Sequence, residues 1–544
     1  MKKPTVKVQT IGSIGANFDL ASHELPVNAF TAGKNFHCLD GKISPFNIGR
    51  FLTLPFIELS TISWALYNNQ WDDNVYSWDN VPEPVLNYDA GNVLFVNTGE
   101  VRYYVMPCRY RVIAYDGTSW QDIALDANIS VDESLWTSCA FGSLAVVNNP
   151  ESWPAYFSIV NGTTLTPLDF SLRHTFKFLN YAFRVIKSHK NFLFALNLTE
   201  NGTSYPTSYR WSHPADENGL PFTWDETDLS AIAGKASISG ISGAILDGCS
   251  LNDYFVIYSE NAINILEYVG GEFIWQRREV LRDIGILNTG CVVEYNGLNF
   301  LITNSDIVQF DGVNIKSLVK GRWLKKVKDL LSAPNGKKSK VYVDRAASEI
   351  WFCFTGDSAI LKIAIVYNTQ EDSLSLVDLP DDIISMTYGQ ILSSNFTWES
   401  TLGTWAASSR AWLEDSTIDE PYRLISVANK DCKLFDLHEP SNGFKGFTIE
   451  RTNIVFEDQE SVSTIIRMYP FIVGTSRVHI QLGSHRKLGD TPVWKPSVIF
   501  RPGIDRKIDV RTTGMLHAWR ITSHDGLPFE LSGMDIEFVP SGER

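Results

Sequence analysis

One phrase recurs along this chain and constrains its fold more than any other feature: an apolar strand of four or five residues, entered from a polar turn and left through Asn, Ser or Thr. It reads LFVN ending at Asn97, LAVVN at Asn148, LFALN at Asn197, FVIYS at Ser259, FLITN at Asn304, WFCFT at Thr355 and, more weakly, LISVAN at Asn429. The intervals 97 to 148, 148 to 197 and 304 to 355 are each close to 50 residues. That is the period of a four-stranded propeller blade rather than of a helical repeat. The longer intervals, 197 to 259 and 355 to 429, then hold insertions.

The sequence between the phrases supports the same architecture. From Cys291, turns at Asn296-Gly297, Ser305-Asp306 and Asp311-Gly312 cut CVVEYNGLNFLITNSDIVQFDGVNIKSLV into four short strands. Such pairs tolerate the positive φ of tight hairpin turns. The expected fold is all-β: a β-propeller of about six to eight blades with a platform or β-sandwich domain and one short amphipathic helix. A pair of stacked sandwiches is the structural alternative.

Three segments are expected. Residues 1–50 carry too few apolar positions for a core of their own and form an N-terminal arm or platform segment, in which Gly12-Ser13-Ile14-Gly15 reads as flexible. Residues 51–440 form the propeller with loop insertions. From about Phe447 the rhythm changes to longer alternating runs (FTIERTNIVF, STIIRMYPFIV, RVHIQLG), so 441–544 are expected to form an antiparallel sandwich with one face of each sheet buried. The helix is GRWLKKVKDLLS from Gly321: Trp323, Leu324, Val327, Leu330 and Leu331 share one face, and Lys325, Lys326, Lys328 and Asp329 the other. With Lys316, Lys320, Arg322, Lys337, Lys338 and Lys340 around it, this basic region reads either as a solvated face or as an assembly interface through Lys325, Lys326 and Lys328.

The balance of the chain is acidic. With 47 basic and 62 acidic residues its formal charge is −15, which argues against a protein that coats nucleic acid, because that affinity comes mostly from neutralising phosphates. The seven cysteines show no close pair and leave one over, as expected of a reduced chain made in a cytosol. No apolar run approaches the roughly 18 residues of a membrane span, so no stable membrane insertion is expected.

The sequence carries few signs of catalytic or metal chemistry. There is no Cys-x-x-Cys, no His-Glu-x-x-His, no Gly-x-Ser-x-Gly and no phosphate-binding Gly-x-x-x-x-Gly-Lys loop. His479 and His485 read as ordinary satisfied histidines. The expectation is no enzyme, no metal and no cofactor. Acidic residues cluster at Asp72, Asp73, Asp79 and Glu83, in a loop that also carries Trp71 and Trp78, and at Asp216, Glu217, Asp225, Glu226 and Asp228. Trp398, Trp405 and Trp412 recur every seven residues. Tryptophans of this kind either stack on sugars or staple long loops to a sheet.

Three regions together resemble the tail nozzle (tail tubular or hub) proteins of short-tailed bacteriophages. The first is LPVNAFTAGKNFHCLDGKISPFNIG from Leu25, where Asn35, Asp40, Gly41 and Gly49 keep the family's frame and His37 stands where Arg is expected. The second is YRWSHPADENGLPFTWDETDLSA from Tyr209, continuing through FVIYSENAINILEYVGG and NGLNFLITNSDIVQFDG to the basic helix. The third joins the tryptophan repeat to the C-terminal run from Val478. The resemblance covers roughly half of the chain, in the same order.

It implies a propeller plus platform assembled as a ring of about six subunits below a tail adaptor protein, with tail fibres or spikes as neighbours. The bore would retain double-stranded DNA and let it through at ejection without sticking, since acidic walls repel phosphates. The two acidic groups are then candidates for the lumen or tip. The location implied is the tail of the virion, after synthesis in the host bacterial cytoplasm. The alternative function is a carbohydrate-binding or depolymerising propeller adhesin of a phage; a cellular propeller scaffold is a third, weaker reading.

Overall fold

In the computed structural model, the repeated phrase marks one position of a repeated element. Five of the seven phrases form the second strand of a four-stranded antiparallel meander, LISVAN forms the second strand of a sheet completed from elsewhere in the chain, and LFVN, Leu94–Asn97, forms the first strand of a meander. The structure describes residues 4–543 apart from 47–49, 54–88, 98–101, 118, 125–129, 160–161, 163, 216–218, 241–242, 272, 357, 359, 381, 392–420, 430–431, 438–445 and 457–460. The fold is all-β. Its helices among the described residues are short: Ile11–Ile14, Phe176–Leu179 and Leu324–Leu331. None is long and apolar enough to cross a membrane.

The chain divides into two units, one made of 1–50, 290–381 and 437–544, the other of 51–289 and 382–436. The continuous 51–440 unit expected from the sequence is thus interrupted, with 290–381 joining the two termini. Within the second unit lie meanders over 94–122, 137–167, 181–237 and 245–282. A fifth sheet takes three strands from 383–436 and completes itself with Arg50–Thr53, from the other end of the chain.

These five sheets stack face on face. Ile384, Ile425, Val427 and Leu434 of the last sheet share a core with Phe95, Tyr104, Met106 and Ile113 of the first. Val105 and Ala114 of the first pack with Val147 and Phe157 of the second, Val146 of the second with Phe183 and Leu193 of the third, and Phe194 of the third with Phe255 and Ile257 of the fourth. A strand here is apolar on both faces because both faces meet another sheet, so phrases such as LAVVN are continuous rather than alternating. At the junction of first and last sheets, a Cβ on Gly389 would lie 2.6 Å from the Tyr104 hydroxyl and 2.9 Å from the Phe95 ring, so only glycine fits.

Two of the terminal asparagines have a role the sequence did not reveal. Asn148, fully buried, donates its Nδ2 to the Phe183 carbonyl at 2.9 Å, and Asn197 donates to the Ile245 carbonyl at 3.1 Å. Each reaches from the second strand of one meander to the first strand of the next. The amide thereby satisfies a backbone acceptor at the sheet-to-sheet junction, where water is excluded.

The other unit is built on a ten-stranded sheet. Its meander Lys340–Asp344, Glu349–Thr355, Leu361–Asn368, Ser373–Asp378 continues through the N-terminal hairpin Phe36–Leu39 and Lys42–Pro45 into the C-terminal strands Phe529–Glu543, Ser461–Gly474 and Ile508–Gly514. The hairpin turn is Asp40-Gly41, with φ of 53° and 68°, as a tight two-residue turn demands. This explains why the N-terminal segment needs no core of its own: Leu376 pairs with Phe36 and Ile43 with Leu531, so it is the central seam of a sheet. A six-stranded sheet made of Ala32–Lys34, Phe447–Ile454, Leu516–Ser523, Val478–His485, Val493–Trp494 and Val498–Phe500 lies against it, with Phe447 and Phe529 meeting edge to face at 5.1 Å. Gly12 and Ile11 are buried, and a Cβ on Gly12 would lie 2.2 Å from the Lys42 carbonyl oxygen, so the segment read as flexible is packed.

Candidate functional site

The basic helix is shorter than its sequence pattern, Leu324–Leu331, because Gly321–Trp323 form the turn that leads into it. The N-terminal segment fixes its start. Asp19 accepts from the backbone N–H groups of Leu324 at 3.1 Å and Lys325 at 2.8 Å, so its carboxylate caps orphan donors and complements the helix dipole. Trp323 is buried, donates its indole N–H to the Ala16 carbonyl at 2.8 Å and meets Phe18 edge to face at 4.8 Å. Val327 is buried beneath the helix, while Lys325 and Lys328 are exposed and Lys326 half-buried. None of the three lysines makes a salt bridge among the described residues, but Lys328 lies near Asp306 and opposes the upward push of burial on that carboxyl, so the face is a basic cluster that is only partly compensated.

Of the acidic candidates, Asp72, Asp73, Asp79, Glu83, Asp216 and Glu217 lie outside the described residues, as do Trp71, Trp78, Trp398, Trp405 and Trp412. Asp225, Glu226 and Asp228 share one loop and are brought together, but each is engaged locally. Asp225 accepts from the Thr227 N–H at 2.9 Å and Asp228 from the Ser230 N–H at 2.9 Å. The Ser230 hydroxyl and N–H hold the Asp228 carboxyl below its usual range. Glu226 pairs with Arg210, whose side chain is only 3% exposed and also binds Glu200 at 2.9 Å; Lys235 reaches Glu200 at 2.6 Å. Burial alone would raise the Glu200 carboxyl, but hydrogen bonds from Lys235 and Arg210 outweigh it and lower it. Two carboxylates and two cations thus compensate one another, leaving half-buried Asp225 and Asp228, held by their own loop, outside that network.

His479 and His485 both lie on the strand Val478–His485, the first half-buried and the second buried. His485 is buried and its Nε2 meets Asn453 Oδ1 at 2.5 Å. Behind it, fully buried His517 meets Ser463 Oγ at 2.8 Å; burial, and then the neighbouring His485, push its pKa down to about 4. His479 faces a shallow open cleft of about 450 Å3 on the outer face of the six-stranded sheet, with Glu450, Gln481, Arg520 and His524. Glu450 and Arg520 pair at 2.7 Å, and the guanidinium lies 4.2 Å from the centre of the Trp494 ring. Among the described residues no three His, Cys, Asp or Glu side chains group as metal ligands do.

Sequence spacing also concealed a thiol pair. Cys108 and Cys432, 324 residues apart, are fully buried at the junction of the first and last stacked sheets, with sulfurs 3.2 Å apart. The Cys432 contact, and then burial, hold the Cys108 thiol well above its usual pKa. No local signal could have paired them, because proximity depends on the last sheet returning to the first.

No family model matches the chain, and no curated protein matches it. Among solved structures it is similar to the computationally designed Ika8 protein, with 7% sequence identity and a TM-score of 0.33, over 65% of this chain and 97% of that one. A similarity of that size assigns neither fold nor function.

Proposed function

We propose that this chain is a structural subunit of a DNA conduit, the distal nozzle of a short-tailed phage tail. About six copies form a ring beneath the tail adaptor, flanked by fibres or spikes. The ring retains double-stranded DNA in the virion and passes it at ejection. The observation that carries this reading is the order of the three family phrases along the chain. It is supported by what those phrases do: Asn35 donates to the Gly446 carbonyl at 2.9 Å while its side-chain oxygen accepts from the Asp378 N–H at 2.7 Å, tying the opening phrase to both later segments of its unit. His37, standing where Arg is expected, meets Glu349 at 2.6 Å.

The charge of −15 suits a wall that DNA slides past, since a protein that neutralises few phosphates gains little from counterion release. No catalytic chemistry and no cofactor are needed for this role. The blades of the proposed propeller are the stacked meanders, and the last sheet completed by Arg50–Thr53 supports a ring fastened by both ends of its chain.

A second reading, a glycan-binding or depolymerising adhesin, is favoured by one observation, the open cleft of Glu450, His479, Gln481, Arg520 and His524. Native mass spectrometry separates the two. A ring, alone or with the adaptor, supports the conduit. A monomer or trimer that releases reducing sugar ends from host polysaccharide supports the adhesin and overturns the conduit.

A further inference from the structure

The sheet edge at Val478–His485 carries an arm, 486–507, whose composition and exposure are at odds with the rest of the chain. Two short strands hold it: Val493–Trp494 pairs with Ser484 and Gly483, and Val498–Phe500 pairs with Ile480, His479 and Val478. Asp505 accepts from the Arg501 N–H at 2.8 Å, so the outer turn is fastened as well. Four aliphatic side chains nevertheless face solvent: Leu488 is 57% exposed, Val493 69%, Ile499 45% and Ile504 73%. Scattered exposed aliphatics are ordinary, but four on one short ordered arm mark a contact surface.

Its charge is reversed too. The arm has six basic and two acidic residues, a net +4 in a chain of −15, so everything outside it sums to −19. Arg486, Lys487, Lys495, Arg501 and Arg506 have no ion-pair partner among the described residues; only Lys507 is engaged, with Asp509 at 3.0 Å. A cationic, aliphatic arm complements the acidic remainder of its own kind. A lipid surface fits less well, because the aromatic residues that favour a membrane interface are turned inward: Phe500 is buried, and Trp494 lies over Gly483, where a Cβ would come within 3.0 Å of its ring.

We propose that the arm 486–507 is the surface by which one copy of this chain holds the next. The inference rests on the reading of the chain as a self-assembling subunit, and it names the contact. A patch on one copy that meets a different patch on the next generates a ring when the rotation closes.

Sedimentation of the full-length protein tests it, with two variants made at exposed positions: L488S/V493S/I499S/I504S, and R486E/K487E/K495E/R501E. Circular dichroism and melting temperature should match the wild type. Self-association should weaken by about a hundredfold or more in the first, because burying even two such side chains accounts for that much; it should weaken in the second by charge repulsion, a deficit that should shrink at high salt. A wild type that stays monomeric at high concentration, or variants that assemble as well as wild type, overturns the proposal. Binding to phosphatidylglycerol vesicles that the variants lose while assembling normally also overturns it, in favour of a lipid surface. Arm-dependent assembly without a bore keeps this inference and removes the nozzle reading, whereas rings with a bore formed equally by the variants do the reverse.

Discussion

Replacing Asn148 by Ala tests how successive sheets are joined. The Asn148 amide is fully buried and donates to the Phe183 carbonyl at 2.9 Å, with weaker contacts at 3.4 Å to Thr137 Oγ1 and the Arg184 carbonyl. A typical hydrogen bond contributes about 1 kcal/mol net, and a buried acceptor left without its donor costs about 1–3 kcal/mol. The expected loss for Asn148→Ala is therefore about 2 kcal/mol, and for half-buried Asn197→Ala also about 2 kcal/mol, because Ala lacks the tolerance of Asn for the left-handed φ of 58° there as well as the hydrogen bond. The two amides serve different junctions and share no partner, so the double variant should lose about the sum. With a urea m-value of about 3 kcal/mol/M, Asn148→Ala should lower the unfolding midpoint by about 0.7 M. Tryptophan fluorescence reports it, since Trp224 is buried in the same junction. Asn148→Asp should cost more, because it buries a carboxylate against a carbonyl. A midpoint unchanged by Asn148→Ala would refute the view that these asparagines join the sheets.

Three further outcomes are expected. His517 is held neutral by burial, so its folded pKa of about 4 lies below the ordinary value of 6.5. The stability it contributes is complete above pH 6.5 and is lost as pH falls through 6.5 towards 4; melting curves across that window should flatten in His517→Gln, and an identical acid limb in both proteins would contradict this. Cys108 and Cys432 should resist iodoacetamide in the native protein at pH 8 and react fully in urea, which peptide mass spectrometry reads directly; rapid native labelling would place them at the surface instead. Charge reversal at Lys325, Lys326 and Lys328 should weaken assembly with copies or adaptor while leaving the melting temperature within about 2 °C, since exposed charges contribute little to folding. Unimpaired assembly would leave this helix a solvated face.

What could be read in advance depended on whether the cause was local. The strand phrases and their turns are local chemistry, and LAVVN, LFALN and WFCFT each form a strand of a meander, though that they are its second strand was not legible. The break at 290–381 in the segment expected over 51–440 was not legible, because the pairing that captures it is Leu376 with Phe36, across more than three hundred residues. The same holds for Cys108 with Cys432, and for Asp19, whose role appears only once its carboxylate reaches the start of a helix 305 residues away. The acidic cluster misled in another way: Glu226 looked like free surface charge, yet Arg210 comes to it from a neighbouring strand. The exposed arm was hidden because nothing in the sequence pattern sets Val493, Ile499 and Ile504 apart from other aliphatic residues, and only their accessibility distinguishes them. Most of the acidic candidates fall on 54–88 and 216–218, outside the described residues.

The conduit itself is tested most directly by electron microscopy of the protein bound to its tail adaptor, viewed down the assembly axis. The account predicts a closed ring of about six copies around a central bore that admits a DNA duplex. A solid assembly with no bore would contradict it.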